Sequence, residues 1–376
     1  MKLRLVATCL FGLEHLLGEE IENLGYERIS TIDGRVTFAG DEEAIALSNI
    51  FLRYAERVYI EIGHFHAETF DELFEGTKAL PWEAFIGKND RFPVKGHAVK
   101  SRLTSIPDCQ SIVKKAIVNH FTGVYGIQWF QETGILYQIE FFLLKDEASL
   151  MIDTSGWPLH KRGYRKEQNA APLRETLAAA IAAISRPRPE VLFWDPMCGS
   201  GTIAIEAVLQ MRKIAPGKAR HFAAEEFAFL PKRLFADARE EAYAGELTAK
   251  ESGFEAFGSD VDTAALEIAK NNAYRAGVLD SMKFFAADAR RIRADGRRGT
   301  IVTNPPYGER MGSAEAVEKL YRDIGEHFRS LAPWQVYIIT SHPAFERLYG
   351  KRADLRRKLY NGMIPCSLYA YFKNER

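Results

Sequence analysis

Two hydrophobic patterns alternate along the C-terminal half of the chain. Short apolar runs of the buried-strand type occur in VLFWD (191–195), FEAFGSD (254–260), KFFAAD (283–288), GTIVTN (299–304) and QVYIIT (335–340). Apolar residues at helical spacing lie between them, in GTIAIEAVLQM (201–211), TAALEIAKNNAYRAG (263–277) and AEAVEKLYRDIGEHFRSL (314–331). Strands that alternate with helices in this way predict a mostly parallel sheet with helices on both faces, which is an α/β fold.

The end of the chain follows a different pattern. Residues 355–360 (LRRKLY) and 363–372 (MIPCSLYAYF) flank the dipeptide Asn361-Gly362. Asn-Gly suits the positive φ angles of a tight hairpin turn, so these two runs predict an antiparallel hairpin. The C-terminal sheet is therefore expected to have seven strands, with the hairpin completing an otherwise parallel, Rossmann-like arrangement.

Upstream of about residue 155, shorter strands and helices predict α+β structure. We divide this part into one unit over 1–64 and a second over 65–155, the latter ending in a long strand with alternating apolar positions. The stretch 154–172 (TSGWPLHKRGYRKEQNAAP) is rich in glycine, proline and basic residues, which is typical of a linker. The α/β region is predicted to cover 156–376.

Composition indicates a globular intracellular protein. Of the 376 residues, 47% are apolar and 27% are charged, and no apolar stretch is long enough to span a bilayer. The N-terminus lacks the pattern of a signal peptide, so we expect a cytoplasmic location. The four cysteines, Cys9, Cys109, Cys198 and Cys366, have no paired spacing, which argues against a disulfide framework or a zinc ribbon.

The net charge is zero, with 50 basic and 50 acidic residues, so global charge does not indicate a nucleic-acid partner. Basic residues are nevertheless concentrated in three runs, at 159–166, 290–298 and 351–358. Such runs are compatible with a surface that faces phosphate or with a solvated face. The candidate phosphate contacts are Lys100, Arg102, Lys161, Arg162 and Arg165.

Polar residues occur where the predicted strands end. The stretch DPMCGSGT (195–202) joins a strand to a helix through glycines, which allow a tight turn and close approach of a ligand. It lacks the third glycine of a dinucleotide fingerprint and the lysine of a P-loop. Asp260 ends the next strand, where a carboxylate can bind ribose hydroxyls, and Asp288 follows the third, where it can accept from an adenine amine. Together these positions predict a pocket for an adenosine with a polar tail.

The fourth strand ends in Asn-Pro-Pro-Tyr (304–307). Proline fixes φ and has no amide hydrogen, so Pro305 and Pro306 hold the backbone rigid and leave a carbonyl available. The Asn304 side-chain oxygen adds a second acceptor. Two converging acceptors suit the exocyclic amine of a base, and Tyr307 offers a ring on which that base can stack. A plain proline turn is the alternative reading of this motif taken alone.

Taken in order, DPMCGSGT, GSDVD, AADAR and TNPPYGER resemble the motifs of S-adenosylmethionine-dependent methyltransferases that modify base amino groups. With LHKRGYR (159–165) and APLRETLAAAI (171–181), the chain is similar to the bacterial THUMP-domain RNA methyltransferases that make N2-methylguanosine in 23S ribosomal RNA. The resemblance covers nearly the whole chain. It implies N-terminal ferredoxin-like and THUMP domains, S-adenosylmethionine as the cofactor, RNA as the partner, and no requirement for a membrane or a metal.

The resemblance also implies roles for individual residues. The loop 195–202 holds the methionine part of the cofactor, Asp260 the ribose, Asp288 with Ala289 the adenine, and 171–175 closes over the methionine end. The implied catalytic residues are Asn304, Pro305, Pro306 and Tyr307. The implied cofactor contacts are Ala171, Pro172, Leu173, Asp195, Pro196, Met197, Cys198, Gly199, Ser200, Gly201, Thr202, Asp260, Val261, Asp262, Asp288, Ala289 and Asn304. The insertion at about 210–252 departs from the pattern, and nothing in the sequence assigns it a role.

Two other functions remain open at this point. The same motif serves adenine-N6 methylation of RNA or DNA, and an RNA-binding assembly factor could retain the pocket without catalysis. Cys198 and Cys366 could act as nucleophiles, but small buried side chains are the simpler interpretation. His64 and His66 could form half of a metal site, but no third ligand lies nearby in the sequence, and solvent-facing positions on a strand explain them.

Overall fold

The computed structural model describes residues 1–166, 173–306 and 313–372. The chain forms two compact units. The first consists of 1–8, 18–159 and 220–240, and the second of 9–17, 160–219 and 241–376. Each unit has its own seven-stranded sheet.

Fourteen strands are present in the described part of the chain: β1 (Leu3–Cys9), β2 (Arg28–Ile32), β3 (Arg35–Gly40), β4 (Ala55–His66), β5 (Val94–Val99), β6 (Ile139–Leu144), β7 (Glu147–Asp153), β8 (Leu192–Asp195), β9 (Ala256–Asp260), β10 (Met282–Ala286), β11 (Gly299–Thr303), β12 (Gln335–Thr340), β13 (Leu355–Asn361) and β14 (Ile364–Tyr371). The α-helices of the same residues are α1 (Glu14–Asn23), α2 (Glu42–Phe51), α3 (Phe70–Lys78), α4 (Ile106–Tyr125), α5 (Glu175–Ile184), α6 (Thr202–Met211), α7 (Leu234–Ala244), α8 (Ala249–Ser252), α9 (Thr263–Arg275), α10 (Ala314–Ser330) and α11 (Phe345–Tyr349).

The sheet of the first unit has the strand order β2-β3-β1-β4-β7-β6-β5. The pairs β2–β3, β1–β3, β4–β7 and β6–β7 are antiparallel, whereas β5–β6 is parallel. The sequence predicted two separate units with a boundary at residue 64. That boundary falls near the end of β4, which is bonded to β1 on one side and to β7 on the other. One long strand thus belongs to both halves of a single continuous sheet.

Part of the insertion between α6 and β9 belongs to the first unit. Residues 220–240 are grouped there, and their aromatic side chains are packed against it. The ring of Phe227 stacks on that of Tyr137 with centroids 4.4 Å apart, and the Tyr137 hydroxyl accepts the amide N–H of Ala228 at 3.1 Å. The amide of Ala224 donates to the Thr154 carbonyl at 3.0 Å. The insertion that the sequence left without a role therefore completes the core of the first unit.

The sheet of the second unit has the order β10-β9-β8-β11-β12-β14-β13. The first five strands are parallel, and β14 runs antiparallel to both β12 and β13. This confirms the predicted α/β fold with its terminal hairpin. A parallel strand is covered on both faces, which is why each was visible in the sequence as a continuous apolar run.

Helix α10 shows how this sheet buries one face. Its apolar residues Val317, Tyr321, Ile324 and Phe328 recur at intervals of three or four, so they form a single stripe along the helix. The stripe is buried in a cluster with inward residues of the sheet, including Ile301, Ile338 and Tyr369. The packing fixes α10 beside the carboxyl ends of β11 and β12.

Candidate active site

A cavity of about 480 Å³ lies at the edge of the second sheet where the parallel strands end. Asp195 and Asp260 are the last residues of β8 and β9, Asn304 directly follows β11, and Asp288 lies just beyond β10. The predicted site residues that line the cavity are Leu173, Asp195, Pro196, Met197, Cys198, Gly199, Ser200, Thr202, Asp260, Val261, Asp288, Ala289, Asn304 and Pro306. The topology brings them together because neighbouring parallel strands end at the same edge.

The other predicted site residues do not line the cavity or fall outside the described residues. Pro305 and Gly201 are beside the cavity but not among its lining residues. Asp262 is the N-cap of α9, where its carboxylate accepts the amides of Ala264 at 2.9 Å and Ala265 at 3.3 Å. Asp262 therefore acts as a helix cap, and its predicted contact with the cofactor stays a prediction. Ala171, Pro172 and Tyr307 lie outside the described residues.

The loop after β8 is shaped by glycine and by hydrogen bonds to its neighbours. Gly199 and Gly201 have φ angles of +51° and +79°, which favour glycine. A Cβ added to Gly201 would lie 3.1 Å from the Ala269 Cβ, so the loop packs closely on α9. Asn272 of α9 donates its side-chain amide to the Ser200 carbonyl at 3.0 Å. Helix α9 thus fixes the curvature of the loop.

Asp260 holds the same loop from the next strand. One carboxylate oxygen accepts the Gly199 amide at 2.9 Å, and the other accepts the Asp262 amide at 3.0 Å. Each carboxylate oxygen has further acceptor capacity, so Asp260 can also bind hydroxyl groups from the cavity. The carboxylate is therefore held in place before any ligand arrives.

Asp195 is buried beneath the cavity. One of its oxygens accepts the Thr303 hydroxyl at 2.7 Å and the Met197 amide at 3.3 Å. Burial raises the pKa of the Asp195 carboxyl to about 7, because desolvation outweighs these two hydrogen bonds. The hydrogen bond to Thr303 joins the end of β8 to the end of β11, immediately before Asn304.

The catalytic candidate Asn304 has an unusual environment. Its Oδ1 atom is buried and has no hydrogen-bond partner within the described parts of the chain. Two residues later the Pro306 carbonyl accepts the Tyr321 hydroxyl at 3.2 Å, and that hydroxyl also bonds to Thr340 Oγ1 at 2.9 Å. The backbone after β11 is therefore held by α10 and β12, while an acceptor at its start is left for a ligand.

Asp288 lies at the open side of the cavity. Arg290 donates to its carboxylate through both the guanidinium, at 2.6 Å, and the backbone amide, at 2.9 Å. The hydrogen bonds from Arg290 lower the pKa of Asp288, so the group is a carboxylate at neutral pH. A ligand amine at this position would share the carboxylate with Arg290.

Two of the predicted phosphate contacts have a different role. The side chains of Arg162 and Arg165 are only 3% and 5% exposed. Arg162 lies 3.7 Å from the buried Glu206, which also accepts the Tyr164 hydroxyl at 2.9 Å. The run 159–166 looked like a basic surface because its charged residues do not reveal which positions are buried. Buried and exposed positions in fact alternate along 161–164. We therefore withdraw Arg162 and Arg165 from the set of RNA contacts.

Arg165 instead supports the cavity. Its guanidinium donates to the Leu173 carbonyl at 2.8 Å and to the Thr202 hydroxyl at 3.3 Å, and both residues line the cavity. It also pairs with Glu175 at 3.1 Å. Burial raises the pKa of Glu175, and the charge of Arg165 opposes that effect. This arginine thus connects the start of α5 to the start of α6.

The remaining basic candidates are exposed. Lys100 and Arg102 belong to the first unit, where Arg102 pairs with Glu68 at 2.6 Å. Lys161 is exposed in the second unit. Their proposed contact with RNA phosphate stays a prediction.

The structure explains the cysteines and histidines without a nucleophile or a metal site. Cys198 is buried at the cavity wall, and desolvation raises the pKa of its thiol well above the usual value, which disfavours the nucleophilic thiolate. Cys366 is buried in β14, where burial also raises its pKa. His66 pairs with Glu147 at 3.1 Å. Within 1–166, 173–306 and 313–372, no group of three potential ligands could hold a metal ion, and no helix is long and apolar enough to cross a membrane.

Three supporting residues were missed by the sequence analysis. Thr303 and Tyr321 fix the segment around Asn304, and Arg290 binds Asp288. A polar residue at the end of an otherwise apolar strand was a visible indication for Thr303. Tyr321 looked like any apolar position on the stripe of α10, so the role of its hydroxyl could not be recognised.

The fold and the cavity are those of a methyltransferase, and comparison with known proteins identifies the family. Residues 162–370 match the family model described as RMKL-like, methyltransferase domain. Residues 4–59 match an RlmL ferredoxin-like domain, and 67–153 match a THUMP domain. The chain belongs to the RMKL-like methyltransferase family.

Individual relatives agree with this assignment. The "Putative RNA methyltransferase YpsC" of Bacillus subtilis is 45% identical over 377 residues, covering 100% of this chain and 97% of that protein. The ribosomal RNA large subunit methyltransferase K/L of Psychromonas ingrahamii is 32% identical over 366 residues, covering 96% of this chain but only 49% of that longer protein.

Solved structures are similarly close. The "predicted N6-adenine-specific DNA methylase" of Listeria monocytogenes is 46% identical, with a TM-score of 0.92 and coverage of 100% of this chain and 97% of that one. SMU.472, described as "a putative methyltransferase complexed with SAH", is 40% identical, with a TM-score of 0.92 and coverage of 100% and 99%.

Proposed function

We propose that this protein transfers a methyl group from S-adenosylmethionine to the N2 amine of a guanine in 23S ribosomal RNA. The observation that carries the proposal is the buried Oδ1 of Asn304, an acceptor without a described partner that lines the same cavity as Asp195, Asp260 and Asp288. An unsatisfied buried acceptor costs stability unless a ligand supplies the missing hydrogen bond. An exocyclic amine has the N–H donors that this position lacks.

The cavity fits the cofactor. Its glycine loop would bind the polar methionine tail of S-adenosylmethionine. The carboxylate at the end of β9 lies where the ribose would bind, and the acid beyond β10 lies where the adenine would bind. Asp260 would hold the ribose hydroxyls, and Asp288 with Ala289 would hold the adenine. The complex of SMU.472 with SAH supports this assignment. The cofactor supplies an electrophilic methyl group on a sulfonium, so the target amine needs only to be placed in line with it.

Positioning is the main contribution of the chain to the reaction. Asn304 Oδ1 accepts one N–H of the target amine, and the Pro305 carbonyl accepts the other, so that the nitrogen lone pair is directed into the cavity. Holding reactants in such geometry can supply about 7 to 11 kcal/mol. The same two acceptors stabilise the positive charge that develops on the amine. The proton leaves after the methyl has been transferred, so a strong general base is not required.

The choice of RNA rests on the THUMP match and on the relatives. The THUMP match at 67–153 and the names of the Bacillus and Psychromonas proteins favour RNA. Adenine-N6 methylation is the second candidate, and the name of the Listeria protein favours it. Both reactions use the same pair of acceptors, because each target is an exocyclic amine. A non-catalytic assembly factor would have no use for the Asn304 acceptor.

The function can be tested with labelled S-adenosylmethionine and ribosomal RNA isolated from cells lacking the protein. Nucleoside analysis of the product should show N2-methylguanosine. N6-methyladenosine would replace our proposal with the second candidate, and absence of label with both naked RNA and ribosomal precursors would contradict catalysis. The matched control is Asn304→Ala, which should bind S-adenosylhomocysteine but transfer label about 10²- to 10³-fold more slowly.

Three further expectations belong to the same proposal. We assign 1–64 as the ferredoxin-like domain, 65–155 as the THUMP domain and 156–376 as the methyltransferase domain. The protein acts in the cytoplasm, where ribosomal precursors are available in bacteria. Transfer needs no metal ion, because the sulfonium is already a good leaving group, and a chelator should leave the rate unchanged.

A further inference from the structure

The terminal hairpin presents a basic and aromatic face that has no part in the cofactor cavity. Arg356, Lys358 and Tyr360 occupy alternate positions of β13, so their side chains project from the same face of the sheet. Across the hairpin, Arg356 is paired with Tyr369 and Lys358 with Ser367 of β14. We refer to Arg356, Lys358, Tyr360 and the neighbouring Phe11 as the hairpin face.

A second cavity adjoins this face. It has a volume of about 450 Å³ and lies between the hairpin and the end of β12. Arg356 and Lys358 line it together with the hydroxyl residues Thr340 and Ser367 and the imidazole of His342. The two cations, the Ser367 hydroxyl and the His342 imidazole offer donors that suit a phosphate group, whereas the Thr340 hydroxyl donates to Tyr321.

The positive charge of this cavity is only weakly neutralised. The nearest ion-pair partner of Arg356 is Glu346 at 3.9 Å, and its Nε atom donates to Ser367 Oγ at 3.3 Å. Lys358 forms no ion pair with any carboxylate of the described residues, and its ammonium lies 5.3 Å from the ring centre of Tyr360. Both cations are exposed and remain available to an anion.

An exposed aromatic ring extends the face beyond the cations. Phe11 is 52% exposed, and its ring makes a T-shaped contact with that of Tyr360, with centroids 5.7 Å apart. The following residue, Gly12, has a φ of +91°, and a Cβ there would lie 2.9 Å from the Lys358 carbonyl. The backbone therefore packs directly on β13 and fixes Phe11 beside the cations. Cations followed by an exposed ring are the combination that binds single-stranded nucleic acid.

The second cavity is also connected to the catalytic segment. Strands β11 and β12 are parallel neighbours, so Asn304 and Thr340 lie at the same edge of the sheet. The Tyr321 hydroxyl bonds both to the Pro306 carbonyl and to Thr340, a residue of the second cavity. A nucleic-acid strand with one base in the cofactor cavity could therefore extend directly onto the hairpin face.

We propose that the hairpin face binds a single-stranded segment of the substrate RNA adjacent to the target base, with one phosphate between Arg356 and Lys358 and one base on Phe11. The identification of the strand as RNA rests on the proposed function. The two kinds of contact have different signatures. A phosphate contact contributes to the salt dependence of binding, whereas stacking contributes affinity that is nearly independent of salt.

The test uses a fluorescein-labelled oligouridylate of about 12 nucleotides, a length within the range of single-strand sites. Uracil has no exocyclic amine, so binding is measured without methyl transfer. Anisotropy titrations between about 50 and 200 mM salt give the affinity and its salt slope. They are carried out with the unmodified protein, with the single variants Lys358→Gln and Phe11→Leu, and with a double variant that combines Arg356→Gln and Lys358→Gln. Lys283→Gln is the matched control, because Lys283 is an exposed lysine on β10 at the opposite edge of the same sheet.

We expect Lys358→Gln to weaken binding and to reduce the salt slope by about 0.7, the value for one phosphate contact on a single strand. The double variant should reduce it further. Phe11→Leu should weaken binding about fivefold or more at every salt concentration without changing the slope. Lys283→Gln should behave like the unmodified protein.

Unchanged affinity and slope in the double variant would overturn the proposal, as would failure of the unmodified protein to bind the probe. Calorimetric titration with S-adenosylhomocysteine checks that each variant retains its cofactor cavity. If the unmodified protein binds both the probe and S-adenosylhomocysteine but methylates no RNA, the proposed function fails while the hairpin face stands.

Discussion

The two sheets of this protein have the same number of strands but organise polar residues differently. In the second unit, five parallel strands end at one edge, and the residues at or just after four of those ends line a single cavity. In the first unit most neighbouring strands are antiparallel, so their ends alternate between the two edges. Some of its buried polar groups bond to each other, as Asn49 does to Thr154 and Ser155.

The difference shows why one sheet offers a reaction site. The parallel arrangement places the unpaired acceptor Asn304 Oδ1 in the cavity at the shared edge, whereas the buried Asn49 of the first unit has both side-chain polar atoms bonded, to Thr154 and Ser155. Polar residues of the second sheet should therefore affect ligand binding or transfer, and comparable residues of the first should affect stability alone. The following substitutions test that contrast, from the largest expected effect to the smallest.

Replacing an ion-paired arginine in each unit should have the largest effect. Arg165→Met leaves Glu175 buried without its partner, which costs about 3 to 5 kcal/mol of unfolding free energy. It also removes the contacts with Leu173 and Thr202, so binding of S-adenosylhomocysteine should weaken. Denaturant unfolding and calorimetric titration measure the two effects.

The counterpart in the first unit is Arg57→Met, which removes the ion pair with the buried Asp153. Because Arg57 is 28% exposed, its loss should cost less stability, and cofactor affinity should not change. Equal weakening of S-adenosylhomocysteine binding in both variants would contradict the contrast between the sheets. Arg165→Lys, which keeps the charge, serves if Arg165→Met does not fold.

Asn304→Ala should reduce the rate of methyl transfer about 10²- to 10³-fold, the effect of removing one preorganised group that stabilises developing charge. Binding of S-adenosylhomocysteine should be retained. The matched variant Asn49→Ala should lower stability, because Asn49 is buried and hydrogen-bonded, yet leave the rate per folded molecule unchanged. Single-turnover assays give these rates, and an unaltered rate in Asn304→Ala would reject its catalytic role.

The buried carboxyl of Asp195 predicts a dependence of stability on pH. Its pKa is raised to about 7, so the folded state retains a proton that the unfolded chain releases near pH 4. The contribution to stability is complete below about pH 4 and is lost as the pH rises to about 7, with a limit of about 4 kcal/mol for three pKa units.

Asp195→Asn removes this titration. The melting temperature of the variant relative to the unmodified protein should therefore increase between pH 5 and pH 8. The asparagine oxygen can still accept the Thr303 hydroxyl, so the comparison isolates the charge. A difference in melting temperature that is the same at both pH values would show that Asp195 does not titrate in this range.

The smallest expected difference is between two glycines of the second unit, one in the loop at the cavity and one just beyond the end of α9. Gly201 and Gly277 have φ angles of +79° and +72°, and an alanine at either costs about 1 to 2 kcal/mol for its backbone conformation. Only at Gly201 would the added Cβ meet another side chain, Ala269 at 3.1 Å, whereas at Gly277 it meets nothing within 4 Å. Gly201→Ala should therefore weaken S-adenosylhomocysteine binding several-fold, and Gly277→Ala should not. Calorimetric titration of both variants decides the matter.

The second sheet could be predicted from the sequence because its strands are buried on both faces. Continuous apolar runs such as VLFWD and GTIVTN predict buried strands from composition alone. The polar residues at their ends, Asp195 and Asn304, were therefore predicted to lie at the same edge of the sheet. The mostly parallel arrangement of the strands followed from the alternation of elements, and the hairpin followed from Asn361-Gly362.

Long-range partners could not be predicted in the same way. Nothing in the run 159–166 shows that Arg165 would be buried beside Glu175, because burial depends on elements that are far apart in sequence. The continuity of the first sheet was hidden for a similar reason, since β4 is one strand with partners from both predicted halves. The role of the insertion could not be predicted either, because the residues against which 220–240 packs, such as Tyr137, are far away in the sequence.

The position of 220–240 has a consequence for how this architecture can change during evolution. These residues are encoded within the stretch that matches the methyltransferase family, yet their aromatic rings complete the core around Tyr137. A recombination event that exchanged only the gene segment before residue 160 would separate Tyr137 from the phenylalanine shaped to cover it. The first unit therefore cannot be exchanged intact as the single segment before residue 160, because part of its core is encoded after that point.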